Sequence, residues 1–387
     1  MFLKPPLTTF FLLLLSQTFQ PADSRNTEST VLRLSPAKIA CLDSRITGWG
    51  YSYISTDPEF EYLRTINLYS PPPNLQGEIL TNPLSDHSAW ATPECILSPR
   101  SAAEVSSALK AITAAGAPFA VRSGGHSPNL GWANIEGGVL VELSRINEIT
   151  YDPANTNVVV GTGSRWGGVY SALEAYGRTA VGARVSPVGV GGFLLGGGLS
   201  HVSNEYGFGC DNVVEYEVVL ANGTIVNANA DAHPELYWAL KGGTSNFGTP
   251  PPLPQPPTHQ LTNCPHAGIV TRFTLKTIPM SKIWGGVITY NATQAVAVMD
   301  AIHAYHAEHI SDLKSAISVQ FILNAGVVLV TLMYAENVGS SPAAFAPFEE
   351  LPHVASSMGS KSFVEFHDEW LVGDAANRYV FREREGK

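Results

Sequence analysis

The stretch PFAVRSGGHSPNLGW, residues 118–132, decides how the rest of the chain is read. A short apolar run leads into two glycines, one histidine and a Ser-Pro turn. A histidine in a packed core needs no glycines in front of it. One that must reach a flat ligand lying against the main chain does, because residues without Cβ let the backbone come close. His126 is therefore the first candidate functional residue, with Gly124 and Gly125 clearing the space beside it.

Upstream, SPRSAAEVSSALKAITAAGA predicts a helix that feeds a strand at 118–122. Ser101 and Glu104 have capping-box spacing. Val105, Ala108, Leu109 and Ile112 recur on one face, and Gly116 is a stop signal. Downstream, strands are expected at 138–143 and 157–161, and a helix at about 166–176 with Gly177 behind it. VVEYEVVLANGTIVNANA reads as a hairpin turning at Asn222-Gly223. A short helix in HPELYWALKGG and a strand at 269–278 follow. From about 280 a strand (283–290), a helix (about 293–309) and the β-rich runs AISVQFIL and GVVLVTLMYA predict a second α+β unit with an antiparallel sheet.

The second notable segment is GARVSPVGVGGFLLGGG, residues 182–198, with seven glycines in seventeen residues. Taken alone it reads equally well as a loop of tight turns or as a nest of backbone N–H groups for an anion. It is not the dinucleotide fingerprint, since a G-x-G-x-x-G frame opening at Gly189 has Leu194 where the last glycine belongs. No G-K-[ST] follows, and no G-x-S-x-G elbow offers a hydrolase nucleophile.

Composition sets outer limits. The 387 residues carry a formal net charge of -10 with no basic stripe, which argues against nucleic acid. With 44% hydrophobic residues, the chain can build one large domain or two medium ones. Residues 1–24 read as a secretory signal, too short in its apolar run to span a bilayer, so a secreted protein without a membrane span is expected. Of the cysteines, Cys41 and Cys95 are expected to pair and Cys210 to be a buried thiol. None has zinc-site spacing. Asn222 and Asn291 begin sequons that permit glycosylation.

Two separated segments, RSGGHS and VGVGGFLLGGGLS, followed by DNVV, NFG and IVTRF, resemble the FAD-binding domain of the vanillyl-alcohol oxidase/p-cresol methylhydroxylase (PCMH-type) superfamily. The berberine-bridge-enzyme-like oxidases are most similar, over about residues 90–280. The resemblance implies an α+β fold: a PCMH-type FAD-binding domain of two α/β subdomains at 91–279, after a lead-in at 25–90, and an incomplete substrate domain with an antiparallel sheet at 280–387. It implies FAD, covalently bonded through the 8α-methyl carbon to His126 alone, because Val185 stands where doubly linked relatives carry cysteine. Arg122, Ser123, Gly124, Gly125 and Ser127 would wrap the pyrophosphate and ring edge. Gly189, Gly191, Gly192, Gly197, Gly198, Leu199 and Ser200 would line the other side. Asn204, Gly207 and Val214 would lie near the ribityl and adenosine part, with Ile269 and Val270 contacting through main chain. Phe193, where several relatives have histidine, would make the site more apolar.

The implied reaction oxidises a small molecule at an activated C–H bond by hydride transfer to flavin N5, with dioxygen as acceptor. Tyr290, His303, His306 and Tyr334 are candidate bases in the second unit, but no spacing singles one out, and none is assigned. Two departures from the family pattern stand out. The segment 249–268, seven of its twenty residues proline, separates N-F-G from I-V-T. It reads as an exposed loop or, preferably, as sixty nucleotides of retained intron. The chain also stops in the middle of the expected substrate domain, which leaves a truncated flavin-binding remnant as the alternative to an active enzyme. A nicotinamide dehydrogenase is disfavoured by the missing fingerprint.

Overall fold

Local signals at Ser101 and Gly116 set the first helix. The Ser101 hydroxyl accepts from the Glu104 N–H at 3.3 Å, while the Glu104 carboxylate reaches back one residue further than a capping box requires, to the Arg100 N–H at 2.8 Å. Gly116, at φ 61°, closes the helix with its N–H on Ile112 and Thr113. The protein is seen here as a computed structural model that describes residues 35, 52–54, 91–127, 132–244, 268–322 and 325–369. The signal segment, Cys41, most of the Pro-rich segment and residues 370–387 lie outside the described residues.

The first sheet has the order β1 (Ser52–Ile54), β2 (Cys95–Leu97), β4 (Val139–Glu142), β3 (Phe119–Arg122). Strands β2, β4 and β3 are parallel. All four residues of β4 are buried, as expected of a strand covered on both faces. Helix α1 (Ala102–Ala115) packs Val105, Ala108, Leu109 and Ile112 into a core shared with Val219 and Ile269, which ties this layer to the next.

The second sheet holds β5 (Ile149–Asp152), β6 (Asn157–Gly161), β7 (Arg178–Ala180), β8 (Val213–Val219), β9 (Ile225–Asn229) and β10 (Ile269–Pro279). Its order is β5-β6-β10-β8-β9, with β7 pairing the far end of β10, and every pairing is antiparallel. The α+β class holds, with parallel pairing confined to the first layer. The eleven residues of β10 are the spine of this sheet. Helices α2 (Trp166–Glu174), α3 (Val190–Leu195), α4 (Ser203–Tyr206) and α5 (Pro234–Leu240) accompany it. Asn222 and Gly223 turn the β8–β9 hairpin, with Gly223 at φ 80° and the Thr224 N–H on the Asn222 side chain.

The third sheet is the antiparallel one expected after 280, built from β11 (Ile283–Asn291), β12 (Ser315–Ile322), β13 (Val327–Tyr334), β14 (Ala355–Ser356) and β15 (Gly359–Lys361). Helix α6 (Ala295–His309) and the short α7 (Ala346–Glu349) cover it through Val298, Tyr305, Phe345 and Phe348. Cys95 is disulfide-bonded, with its partner outside the described residues, and Cys210 is a buried free thiol whose pKa is raised by burial. No described helix is long and apolar enough to cross a membrane.

Helix α8 (Phe363–Asp368) joins the third sheet to the second layer. Phe363 and Phe366 are buried in the core containing Trp166 and Tyr170, and the Ser186 hydroxyl donates to Asp368 at 2.9 Å. Each phenylalanine buried there stabilises the docking by roughly 1.5–3 kcal/mol. His367 shares this core, its Nδ1 on the Phe363 carbonyl at 2.8 Å and its ring 5.4 Å from that of His201.

Burial lowers the His367 pKa from 6.5 to about 4, against the Phe363 hydrogen bond, and burial, His367 and Arg184 push His201 well below its ordinary value. A folded-state pKa below the unfolded one means stability present above pH 6.5 and lost as pH falls toward 4. For His367 that loss is on the order of 3 kcal/mol. Urea midpoints of the parent and of His367→Leu, compared at pH 7 and pH 4, should show a smaller acid loss in the variant. Equal losses would contradict a buried neutral imidazole.

Candidate functional site

The parallel strands of the first sheet end together, and ligands of open α/β sheets bind off such carboxyl ends. Beyond Arg122, the last residue of β3, the chain turns through 123–127, with Gly125 at φ 65° in the left-handed region that favours glycine. The Ser123 hydroxyl donates to the Thr162 carbonyl at 2.7 Å, fixing the start of this turn against the end of β6.

The glycine-rich segment meets this turn main chain to main chain. A Cβ on Gly124 would lie 2.4 Å from the Gly189 Cα, and one on Gly189 only 2.3 Å from the Gly124 nitrogen. Real Cβ contacts never come so close, so only two glycines allow the approach. Arg165 holds the junction. Its Nη1 donates to the Gly124 carbonyl at 3.1 Å and to the Pro187 carbonyl, and its backbone bridges Gly189. The segment is also not all loop: it enters α3 at Val190, whose N–H bonds the Ser164 carbonyl.

Residues of both segments line a cavity of about 290 Å³. Ser123, Gly124, Gly125, His126 and Ser127 line it together with Gly189, Gly191 and Gly192. Ile269 and Val270, the first residues of β10, complete it. Ten of the eighteen expected site residues are thus brought to one space. A Cβ on Gly192, one of the lining residues, would meet nothing within 4 Å, whereas a Cβ on Gly191 would meet the Thr162 hydroxyl at 2.5 Å.

The other eight stand elsewhere. Arg122 is buried behind the wall, with its pKa lowered to about 10 by burial, raised in part by Glu142 and lowered further by Arg165. Gly197 and Gly198, at φ 94° and 82°, bend the chain after α3, and their carbonyls accept from Cys210 and Gly209. Leu199 is 52% exposed. Ser200 is buried, with its N–H on the Ser203 hydroxyl, and Gly207 turns the chain after α4. Val214 is half-buried in β8. The Asn204 amide donates to the Ser315 carbonyl at 2.9 Å, joining α4 to β12.

Reading the sequence missed Trp132, Leu143, Thr162, Leu195 and Thr244 as lining residues, along with Arg165 as the clamp. Leu143 follows directly on β4 and shares a buried core with Val141. For Arg165 no local pattern exists, since its partners are carbonyls 41 and 22 residues away. Phe193 does line the cavity, its ring edge-on to Trp166 at 5.1 Å.

The candidate bases lie apart from this space. Tyr290 is buried under α7, its hydroxyl donating to the Phe348 carbonyl, and burial raises its pKa. His303 and His306 are exposed on α6, and Tyr334 pairs across the third sheet.

The donor set suits a dinucleotide flavin. Val121, Leu143, Val188, Phe193, Leu195 and Ile269 give flat apolar surface, the glycines give main-chain approach and N–H groups, and His126 gives one ring nitrogen in the wall. No aspartate, glutamate, lysine or arginine is among the described lining residues.

Comparisons with known proteins agree with this donor set. Residues 93–229 match the FAD binding domain family. An uncharacterized FAD-linked oxidoreductase of Arthroderma benhamiae is 35% identical over 298 residues, covering 75% of this chain and 55% of that one. The fold matches 6-hydroxy-D-nicotine oxidase from Arthrobacter nicotinovorans, with TM-score 0.65 at 22% identity over 86% of this chain and 65% of the other. It also matches berberine bridge enzyme from Eschscholzia californica, with TM-score 0.57 at 22% identity over 77% and 55%. The chain spans about half the length of the curated relatives it matches.

Proposed function

We propose, from the match of residues 93–229 to the FAD binding domain family and the 35% identity to an FAD-linked oxidoreductase, that this chain is a secreted oxidoreductase that holds FAD in the cavity lined by the His126 turn and the Gly189 segment. The observation that carries this reading is the main-chain contact of Gly124 with Gly189, next to a cavity that both glycine segments and His126 line. When bound, FAD supplies the two-electron acceptor for an activated C–H bond of a small molecule, with dioxygen taking the electrons on.

The chain's own groups bind and orient. His126 would be the single residue holding FAD covalently, and Val185 offers no second point of attachment. Ser123, Gly124, Gly125 and Gly189 present main chain to the polar part of the ligand, and Phe193, Leu195 and Val188 exclude water from its flat face. The leader at 1–24 carries the protein out of the cell. The exposed sequon residues Asn222 and Asn291 are the glycan positions of such an exported form.

The test is direct. Purified full-length chain should be yellow, bind one FAD per polypeptide, and keep its colour in the pellet after acid precipitation. Folded protein that is colourless and takes up no added FAD would end this reading.

A further inference from the structure

Two buried charges behind the cavity wall have no part in lining it. Arg122 and Glu142 are paired in register at the ends of β3 and β4, and each is only 1% exposed. The Glu142 carboxylate accepts from the Ser144 N–H at 3.1 Å, the Ser144 hydroxyl at 2.6 Å and the Ser98 hydroxyl at 3.4 Å. It is held at the carboxyl edge of all three parallel strands. Taking two such charges out of water costs several kcal/mol per ion, and an apolar pair would serve stability as well or better. Their position gives a different reason, because Val121, Ser123 and Leu143, the immediate chain neighbours, line the cavity.

Arg165 is the third member. It reaches the same wall from the start of α2 and takes the Gly124 carbonyl. The peptide unit that carries this carbonyl also carries the Gly125 N–H, and among the described residues every peptide bond is trans. In a planar trans unit the two groups point opposite ways. With its carbonyl turned to Arg165, the N–H of Gly125 is turned away from it, in a stretch where Gly124 and Gly125 both form the wall. The cluster sums to two guanidiniums against one carboxylate, behind a lining whose described side chains carry no fixed charge.

We propose that Arg122, Arg165 and Glu142 form a fixed-charge cluster that sets the reduction potential of the flavin from behind the wall, with Arg165 also acting as the positioning residue that aims the Gly125 N–H. This rests on the FAD reading above. A net positive cluster in a water-poor region favours the more negative, reduced form of a neighbouring group. Removing a guanidinium should disfavour reduction, and removing the carboxylate should favour it. A purely structural role would move both variants in the same direction, or neither.

The experiment is a spectroscopic redox titration of the FAD-loaded full-length chain against reference dyes. Arg165→Met is expected to shift the two-electron reduction equilibrium about tenfold toward the oxidised form, a change of about 30 mV. Glu142→Gln is expected to shift it in the opposite direction. Arg165→Lys, which keeps the charge, should retain most of the parent potential. Shifts of the same sign in Arg165→Met and Glu142→Gln, or parent values in both, would overturn the proposal. If Glu142→Gln does not fold, Arg165→Gln against Arg165→Lys decides, because equal potentials in that pair would overturn it too. Failure of the unsubstituted chain to bind FAD would instead count against the function itself, so the two failures are separable.

Discussion

Replacing His126 by alanine is expected to remove all acid-stable colour from the protein while leaving its fold intact. His126 is half-buried in a wall otherwise made of glycine and serine, so truncating its ring creates little core cavity. The variant should still take up FAD from solution, because the main-chain contacts and apolar faces remain. Acid precipitation should then leave the flavin in the supernatant and the pellet white. Mass spectra of the His126 peptide would show the adduct in the parent and none in the variant. A yellow pellet from His126→Ala would place the attachment at another residue.

The second large effect is expected at the glycine contact. Adding a single methyl group in Gly189→Ala places it 2.3 Å from the Gly124 nitrogen and 2.8 Å from the Ser123 hydroxyl. Both neighbours belong to a turn held by Arg165 and by the Ser123 bond to Thr162, so neither wall moves without breaking these links. Overpacking of this kind costs about 1–3 kcal/mol, occasionally more. FAD binding should be lost together with this stability. Gly192→Ala is the contrasting case, since its methyl group meets nothing within 4 Å. Its thermal midpoint should equal or exceed the parent's, because alanine replaces glycine inside α3 without a clash, while its FAD affinity falls. Equal behaviour of the two variants, in melting and in FAD titration, would contradict the geometry described.

Much of this could be read in the chain because the signals were local. The α1 cap and stop, the Asn222-Gly223 turn and the long alternation of β10 each lie within a few residues, and each element formed where expected. The strands β5 and β7 were missed. Ile149–Asp152 has only intermediate or exposed residues, and Arg178–Ala180 is three residues long, so neither carries a countable period. Helix α3 was hidden because glycine counts against helix, yet six residues of VGGFLL form one, with Val190, Gly191 and Leu194 buried. At the site, the two glycine motifs each identified part of the lining. What joins them, a lone arginine donating to two distant carbonyls, leaves no trace in sequence spacing.

The contact between Gly124 and Gly189 also bears on how such a protein diversifies. A contact made by side chains loosens or tightens with each substitution, whereas one made by touching backbones has a single separation. Substitution at these two positions is therefore closed off by sterics, and changes in the lining fall to residues such as Trp132, Phe193, Leu195 and Thr244 that border the same space.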